Sequence, residues 1–259
     1  MSKPGVLDIP SVKDQVSDEE WEARVNLAAA YRMCAHYGWD DLIYTHISAR
    51  VPNTDHHFLI NPLGLMFEEM TASSLIKVDL NGNALMETPY IPNAAGFVIH
   101  SAIHEAREDA GCVLHLHTDY GIAVSNLKDG LELLAQSSIP AWAQVAYHDY
   151  EGFAVNDGEK ERLVADMGDK SALILRNHGT LTVGPTVAQA FEAMFFLEKA
   201  CKIQVLTRAT GMPIHEPSKE SIDNALRDLR VVAGAGGADN FVWPAILRKL
   251  DRMDPSYRD

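Results

Sequence analysis

Residues 93–125 read NAAGFVIHSAIHEAREDAGCVLHLHTDYGIAVS, and two periodicities meet inside this stretch. In its first half Phe97, His100, Ser101 and His104 recur at i, i+3, i+4 and i+7, with Ile99 and Ile103 on a neighbouring face. That spacing predicts a helix over Ala94–Glu108, ending near Gly111. Cys112–His117 is then a short apolar run with the length of a buried strand. Successive strand side chains point to opposite faces, so His115 and His117 share one, and both imidazoles can grip a single metal ion.

Outward from this pair, strands and helices alternate. Ser17 followed by Asp18, Glu19 and Glu20 is a capping-box pattern, and the apolar spacing from Trp21 predicts a helix over 18–37 that stops at Gly38. Leu42–Val51 and Phe58–Ile60 have strand composition, and Asn81-Gly82 is the pair of a tight hairpin. Further on, Gly158–Met167 reads as a helix and Leu173–Leu175 as a strand. Thr186–Arg208 is the longest helical pattern, with two more helices over Ser218–Val232 and Phe241–Leu250. The expected fold class is α/β: a layered fold with a central mixed or antiparallel sheet flanked by helices. No linker, repeat or low-complexity tract divides residues 1–259, which read as one domain with an N-terminal arm (about 1–17) and a helical C-terminal region (about 211–259).

A net charge of −14, with no run of Lys and Arg, argues against nucleic acid and anionic membrane surfaces as partners. Cys34, Cys112 and Cys201 are far apart and sit among apolar neighbours, as reduced thiols do. With neither a signal-peptide core nor a stretch approaching the roughly 20 apolar residues that span a bilayer, the expected location is the cytoplasm.

His178 is the natural third ligand. It follows the strand Leu173–Leu175 and lies in a Gly-bounded turn, Asn177-His178-Gly179-Thr180, where the backbone can bring a side chain into a cleft. Three neutral imidazoles suit Zn2+, and also Fe2+, Mn2+ or Co2+, and leave a coordination position open to substrate.

The stretch 93–125, then VAYHDYEG and ALILRNHGTLTVG, resembles the class II aldolase and adducin superfamily. YTHISARVP and LINPLGLMFEEMTASSLIKVDLNGN fit the same pattern, and the similarity runs from about Trp21 to about Arg208. The wording is nearer to adducin heads and their bacterial relatives than to the sugar-phosphate aldolases. The resemblance implies that the His-x-His pair and the Asn-His-Gly histidine hold a metal. It also implies a cyclic homotetramer with the active site near a subunit boundary.

Departures from the aldolase pattern are as informative. The acid/base Glu of the sugar-phosphate enzymes is Gly96 here, nineteen residues before His115. Their phosphate-holding Ser pair appears as Ala94-Ala95, a Thr-Gly pair as Leu63-Gly64, and an Asn as His46. A phosphorylated sugar is therefore not the expected substrate. Replacement proton-transfer groups are sought among His148, Tyr150 and Glu151, and among Asp119 and Tyr120 after the metal pair, each of which also suits a structural hydrogen bond or a solvated charge. The i, i+4 pair His100 and His104 fits a helix face packed on the sheet better than a metal site.

Three functions follow. The first is a divalent-metal-dependent lyase performing aldol or retro-aldol C–C cleavage on a small, non-phosphorylated, hydroxy-carbonyl substrate, aromatic or hydrophobic in character. The second, on the same three His, is a non-heme iron oxygenase or decarboxylase. The third is a non-enzymatic, adducin-like interaction module, against which the intact His triad weighs.

Overall fold

In the computed structural model, which describes residues 9–152, 157–233 and 237–259 (the backbone alone at 94–98, 157 and 230–233), helix α1 spans Asp18–Tyr37. The Ser17 side chain caps its start by accepting from the Glu20 N–H at 3.2 Å. Gly38, in the left-handed region at φ 67°, ends it. The remaining helices are α2 (Ala94–Ala106), α3 (Asp119–Ser125), α4 (Ile139–Gln144), α5 (Asp157–Met167), α6 (Val187–Ala209), α7 (Lys219–Ala233) and α8 (Trp243–Met253). The strands are β1 (His46–Arg50), β2 (Phe58–Ile60), β3 (Ile76–Val78), β4 (Cys112–Leu116), β5 (Val145–His148), β6 (Ala172–Leu175) and β7 (Gly179–Gly184). Residues 1–8 of the N-terminal arm expected over 1–17 lie outside the described residues.

The seven strands form one sheet in the order β3-β2-β1-β4-β7-β6-β5, antiparallel throughout except for the parallel pair β5–β6. This is the mixed sheet flanked by helices that the sequence leads one to expect. Alternation along β4 divides the core: Cys112, Leu114 and Leu116 pack with residues of α1 and α6. Val113 faces the other way, with Leu181 and Val183 of β7, Ile99 and Ile103 of α2, and Leu163 and Met167 of α5. His115 shares the Val113 side, and so do His46 and Ser48 on β1, whose register pairs His46 with His115. Polar side chains of β1 and β4 thus meet beneath α2.

Several expectations need correction. The strand expected from Leu42 begins only at His46, because Leu42 adopts φ 50° and Asp41–Tyr44 is a turn closed by a 2.9 Å hydrogen bond. Leu42 and Tyr44 are exposed, so their strand composition finds no neighbour to pair with. The Asn-Gly turn forms, with Gly82 at φ 79° and Asp79 accepting from the Asn81 and Asn83 N–H groups, but the returning chain makes a single bridge, Val78–Ala84. β4 stops at Leu116, which puts His117 just past the strand. The helix α2 ends at Ala106, two residues short of the expected end. Strands β3, β5 and β7 and helices α3 and α4 have no counterpart in the sequence reading. Among the described residues, no helix is long and apolar enough to cross a membrane.

Candidate metal centre

The turn from β6 to β7 carries the third histidine. Asn177 sits at φ 55°, a conformation its short polar side chain tolerates. A Cβ on Gly179 would lie 2.6 Å from the Leu116 carbonyl oxygen, so only glycine lets this turn approach the end of β4 so closely. His178 is thereby set against His115 and His117. The ligand nitrogens of the three lie within 4.8 Å of one another. Ring centroids are 4.8 Å apart for His115–His117 and His115–His178, and 4.9 Å for His117–His178.

Hydrogen bonds fix which nitrogen of each strand-end histidine is free. Nδ1 of His115 lies 3.1 Å from the Thr180 carbonyl oxygen, which can only accept, so Nδ1 carries the proton. Nδ1 of His117 donates to Oδ2 of Asp41 at 2.9 Å. Both Nε2 atoms are then lone pairs, and they stand 3.1 Å apart. Two acceptors at that distance repel unless a cation lies between them, which is an arrangement suited to a divalent metal. The donor set agrees: burial and then the surrounding imidazoles hold His115 well below the usual imidazole range, and burial followed by His117 brings His178 down to about 4. Neutral imidazoles are the metal-binding form.

Asp41 orients His117 in the way carboxylates orient metal-ligating histidines. It sits in the turn whose left-handed Leu42 interrupts the expected strand. Loss of such a partner typically weakens metal binding by about 10–100-fold. Asp41→Asn should therefore lower zinc affinity by that factor with an unchanged far-ultraviolet spectrum, and a competition titration against a chelator that finds wild-type affinity would contradict this role.

Of the other sequence candidates, His148, Tyr150 and Glu151 line a small cleft together with Glu159 and His178. His148, at the end of β5, is buried; Asp166 accepts from its Nδ1 at 2.8 Å, and its Nε2, 3.8 Å from Glu159, has no hydrogen-bond partner among the described residues. Glu151 is committed to a two-pronged ion pair with Arg162, which holds its carboxyl below the usual range. Tyr150 is exposed. Asp119 and Tyr120 lie on α3, Asp119 exposed in its first turn and Tyr120 packed on the core with the Lys202 ammonium 5.3 Å from its ring centroid. Gly96 and the Ala94-Ala95 pair fall on the first turn of α2, whose side chains are outside the described residues.

Sequence reasoning missed Asp41, and it missed a buried chain on the same side of the sheet. His46 Nδ1 is 2.8 Å from His100 Nε2, His100 Nδ1 is 2.6 Å from Ser48 Oγ, Ser48 Oγ is 2.7 Å from His104 Nε2, and His104 Nδ1 is 2.9 Å from the Ala110 carbonyl oxygen. His100 and His104 do pack on the sheet as expected, His104 stacked on Phe58 at 4.5 Å. The available signal was that HISA in β1 alternates polar with apolar, opposite the His-x-x-x-His face of α2.

Comparison with known proteins follows the same line. The model of the class II aldolase and adducin N-terminal domain matches residues 25–205. A Caulobacter vibrioides protein named after class 2 aldolases is 54% identical over 98% of this chain and 99% of its own length. Alpha-adducin of Rattus norvegicus is 41% identical over 89% of this chain, which spans 33% of the adducin. Among solved structures, an aldolase II superfamily protein from Pseudomonas syringae superposes with a TM-score of 0.92 at 50% identity, covering 96% of this chain and 100% of that one. An L-fuculose 1-phosphate aldolase from Glaciozyma antarctica gives 0.79 at 31% identity, covering 99% and 97%. The three histidines gathered at the end of the central strand therefore sit in a chain that belongs to the class II aldolase and adducin family.

Proposed function

We propose that the chain is a divalent-metal-dependent lyase that makes or breaks a C–C bond in a small, non-phosphorylated hydroxy-carbonyl substrate, with His115, His117 and His178 as the metal ligands. The observation that carries this reading is the pair of Nε2 lone pairs 3.1 Å apart, each fixed by a hydrogen bond on its Nδ1. A bound zinc ion would act as a Lewis acid, drawing negative charge onto a substrate carbonyl oxygen as the bond breaks. The chain's own residues do the rest. Thr180 and Asp41 hold two imidazoles in the right tautomer. His148, buried against Asp166 with Nε2 unpartnered among the described residues, is a candidate for moving a proton in the cleft it shares with His178.

The likeness to alpha-adducin supports a second reading, an interaction module without catalysis. Metal analysis of the purified protein combined with aldol-cleavage assays in air and under nitrogen separates the possibilities. About one metal per chain with oxygen-independent cleavage is the expected result. Oxygen-dependent turnover would overturn the lyase in favour of an iron oxygenase, and a metal-free, inert protein would favour the module.

The assembly we infer is a cyclic homotetramer in the cytoplasm, where the buried, unbridged Cys34, Cys112 and Cys201 would stay reduced. A monomer at every concentration in sedimentation would contradict the tetramer.

A further inference from the structure

The buried chain beneath α2 has only one consistent arrangement of protons. Its far end is a carbonyl oxygen, so Nδ1 of His104 must be the donor to Ala110. Among the described residues no carboxylate is bonded to any of its imidazoles, and His46, His100 and His104 are at most 5% exposed, so each is neutral and offers one donor and one acceptor. With Nδ1 of His104 protonated, its Nε2 accepts from the Ser48 hydroxyl. That hydroxyl, having given its one proton, accepts from Nδ1 of His100. Nε2 of His100 then accepts from Nδ1 of His46. Each assignment forces the next, and the last leaves Nε2 of His46 without a proton.

The His46 ring lies on the side of the sheet that carries His115. His46 is the cross-strand partner of His115, and their ring centroids are 5.2 Å apart. Burial first, and then the Arg50 guanidinium, which donates to the carbonyls of His104, Arg107 and Ala110, disfavour added positive charge on His104. We propose that His46 is a specificity-determining residue: its Nε2, kept unprotonated by the His100–Ser48–His104 relay, accepts a hydrogen bond from an uncharged substrate hydroxyl and repels a phosphoryl or carboxylate group. The inference deepens the lyase reading by naming the substrate class as a neutral polyhydroxy or hydroxy-carbonyl compound. It does not require that reading for its test.

The tautomer is read directly on metal-free protein by long-range 15N–1H correlation spectra of 15N-histidine-labelled samples, with the 11 histidines assigned by single replacements. Protons on Nδ1 of His46, His100 and His104 are expected, and a proton on Nε2 of His46 would overturn the inference even if lyase activity were found. Ser48→Ala should unlock the relay and bring in an Nε2–H signal for His46. If that variant does not fold, the wild-type spectrum and the next measurement still decide. Calorimetry on the zinc-loaded protein compares dihydroxyacetone with dihydroxyacetone phosphate. The wild type should prefer the neutral ketone, and His46→Asn, whose amide can donate, should shift the ratio of the two affinities by about tenfold toward the phosphate. An unchanged ratio would overturn the role in selectivity. Loss of zinc in His46→Asn would show instead that His46 is a ligand and would overturn it as well.

Discussion

Replacing His115 by Ala should lower zinc affinity by more than the roughly 10–100-fold that follows loss of an orienting partner, because a ligand itself is removed. The same holds for His117→Ala and His178→Ala. Bound metal stabilises a folded protein by about 2.7 kcal/mol when its concentration is a hundred times the dissociation constant. Zinc should therefore raise the melting temperature of the wild type, and that increment should vanish in the variants. The fold should persist, since His115 lies outside the apolar clusters and a typical single replacement costs about 0.5–3 kcal/mol. Removing the imidazole also relieves the opposed lone pairs 3.1 Å apart, so the metal-free His115→Ala variant should melt near or above what its lost volume alone would give. Full occupancy in the double variant His115→Ala, His117→Ala would end the metal assignment.

The second large effect concerns the substrate. Fuculose 1-phosphate and ribulose 5-phosphate should be turned over at least about a thousandfold less efficiently than an unphosphorylated hydroxy-carbonyl compound. Ala94, Ala95 and Leu63 offer no hydroxyl to a phosphate, and each lost hydrogen bond to a charged group costs about 1.5–3 kcal/mol. The net charge of −14 supplies no general attraction for a dianion. Burial also presses His46 down to about 3, so it brings no positive charge in their place. The Glaciozyma antarctica relative, whose name carries L-fuculose 1-phosphate, makes that compound the most demanding choice for the comparison. Steady-state kcat/KM for the two substrate types on the zinc-loaded protein is the measurement. Efficient cleavage of the sugar phosphate would mean that a different set of groups holds the anion.

How much of this was legible without coordinates depends on the range over which each feature is decided. Helix α1 was readable because its cap, periodicity and Gly38 stop are all local, and the same is true of α6 with its Thr186 cap. The His-x-His pair was readable because the alternation of a strand, here continued one residue past β4, puts two imidazoles on one side, and because the surrounding motifs resemble a family that holds a metal there. Strand β7 was not, since Gly179–Gly184 becomes a strand by pairing with both β4 and β6, while its first residues have the local composition of a turn. The expected strand at Leu42 failed for the converse reason: its residues suit a strand, but no neighbouring strand reaches them.

The sequence by itself determined the helices with local caps and the strand carrying His115, and it offered three imidazoles as candidate metal ligands. Only the tertiary structure decided what those imidazoles are bonded to on their other side. Asp41 and His117 are 76 residues apart, and Ser48 is 52 residues from His100 and 56 from His104. No spacing rule connects them. Which nitrogen of His46 bears a proton depends on a carbonyl at Ala110, four hydrogen bonds away, and that dependence exists only once β1 and α2 are packed face to face.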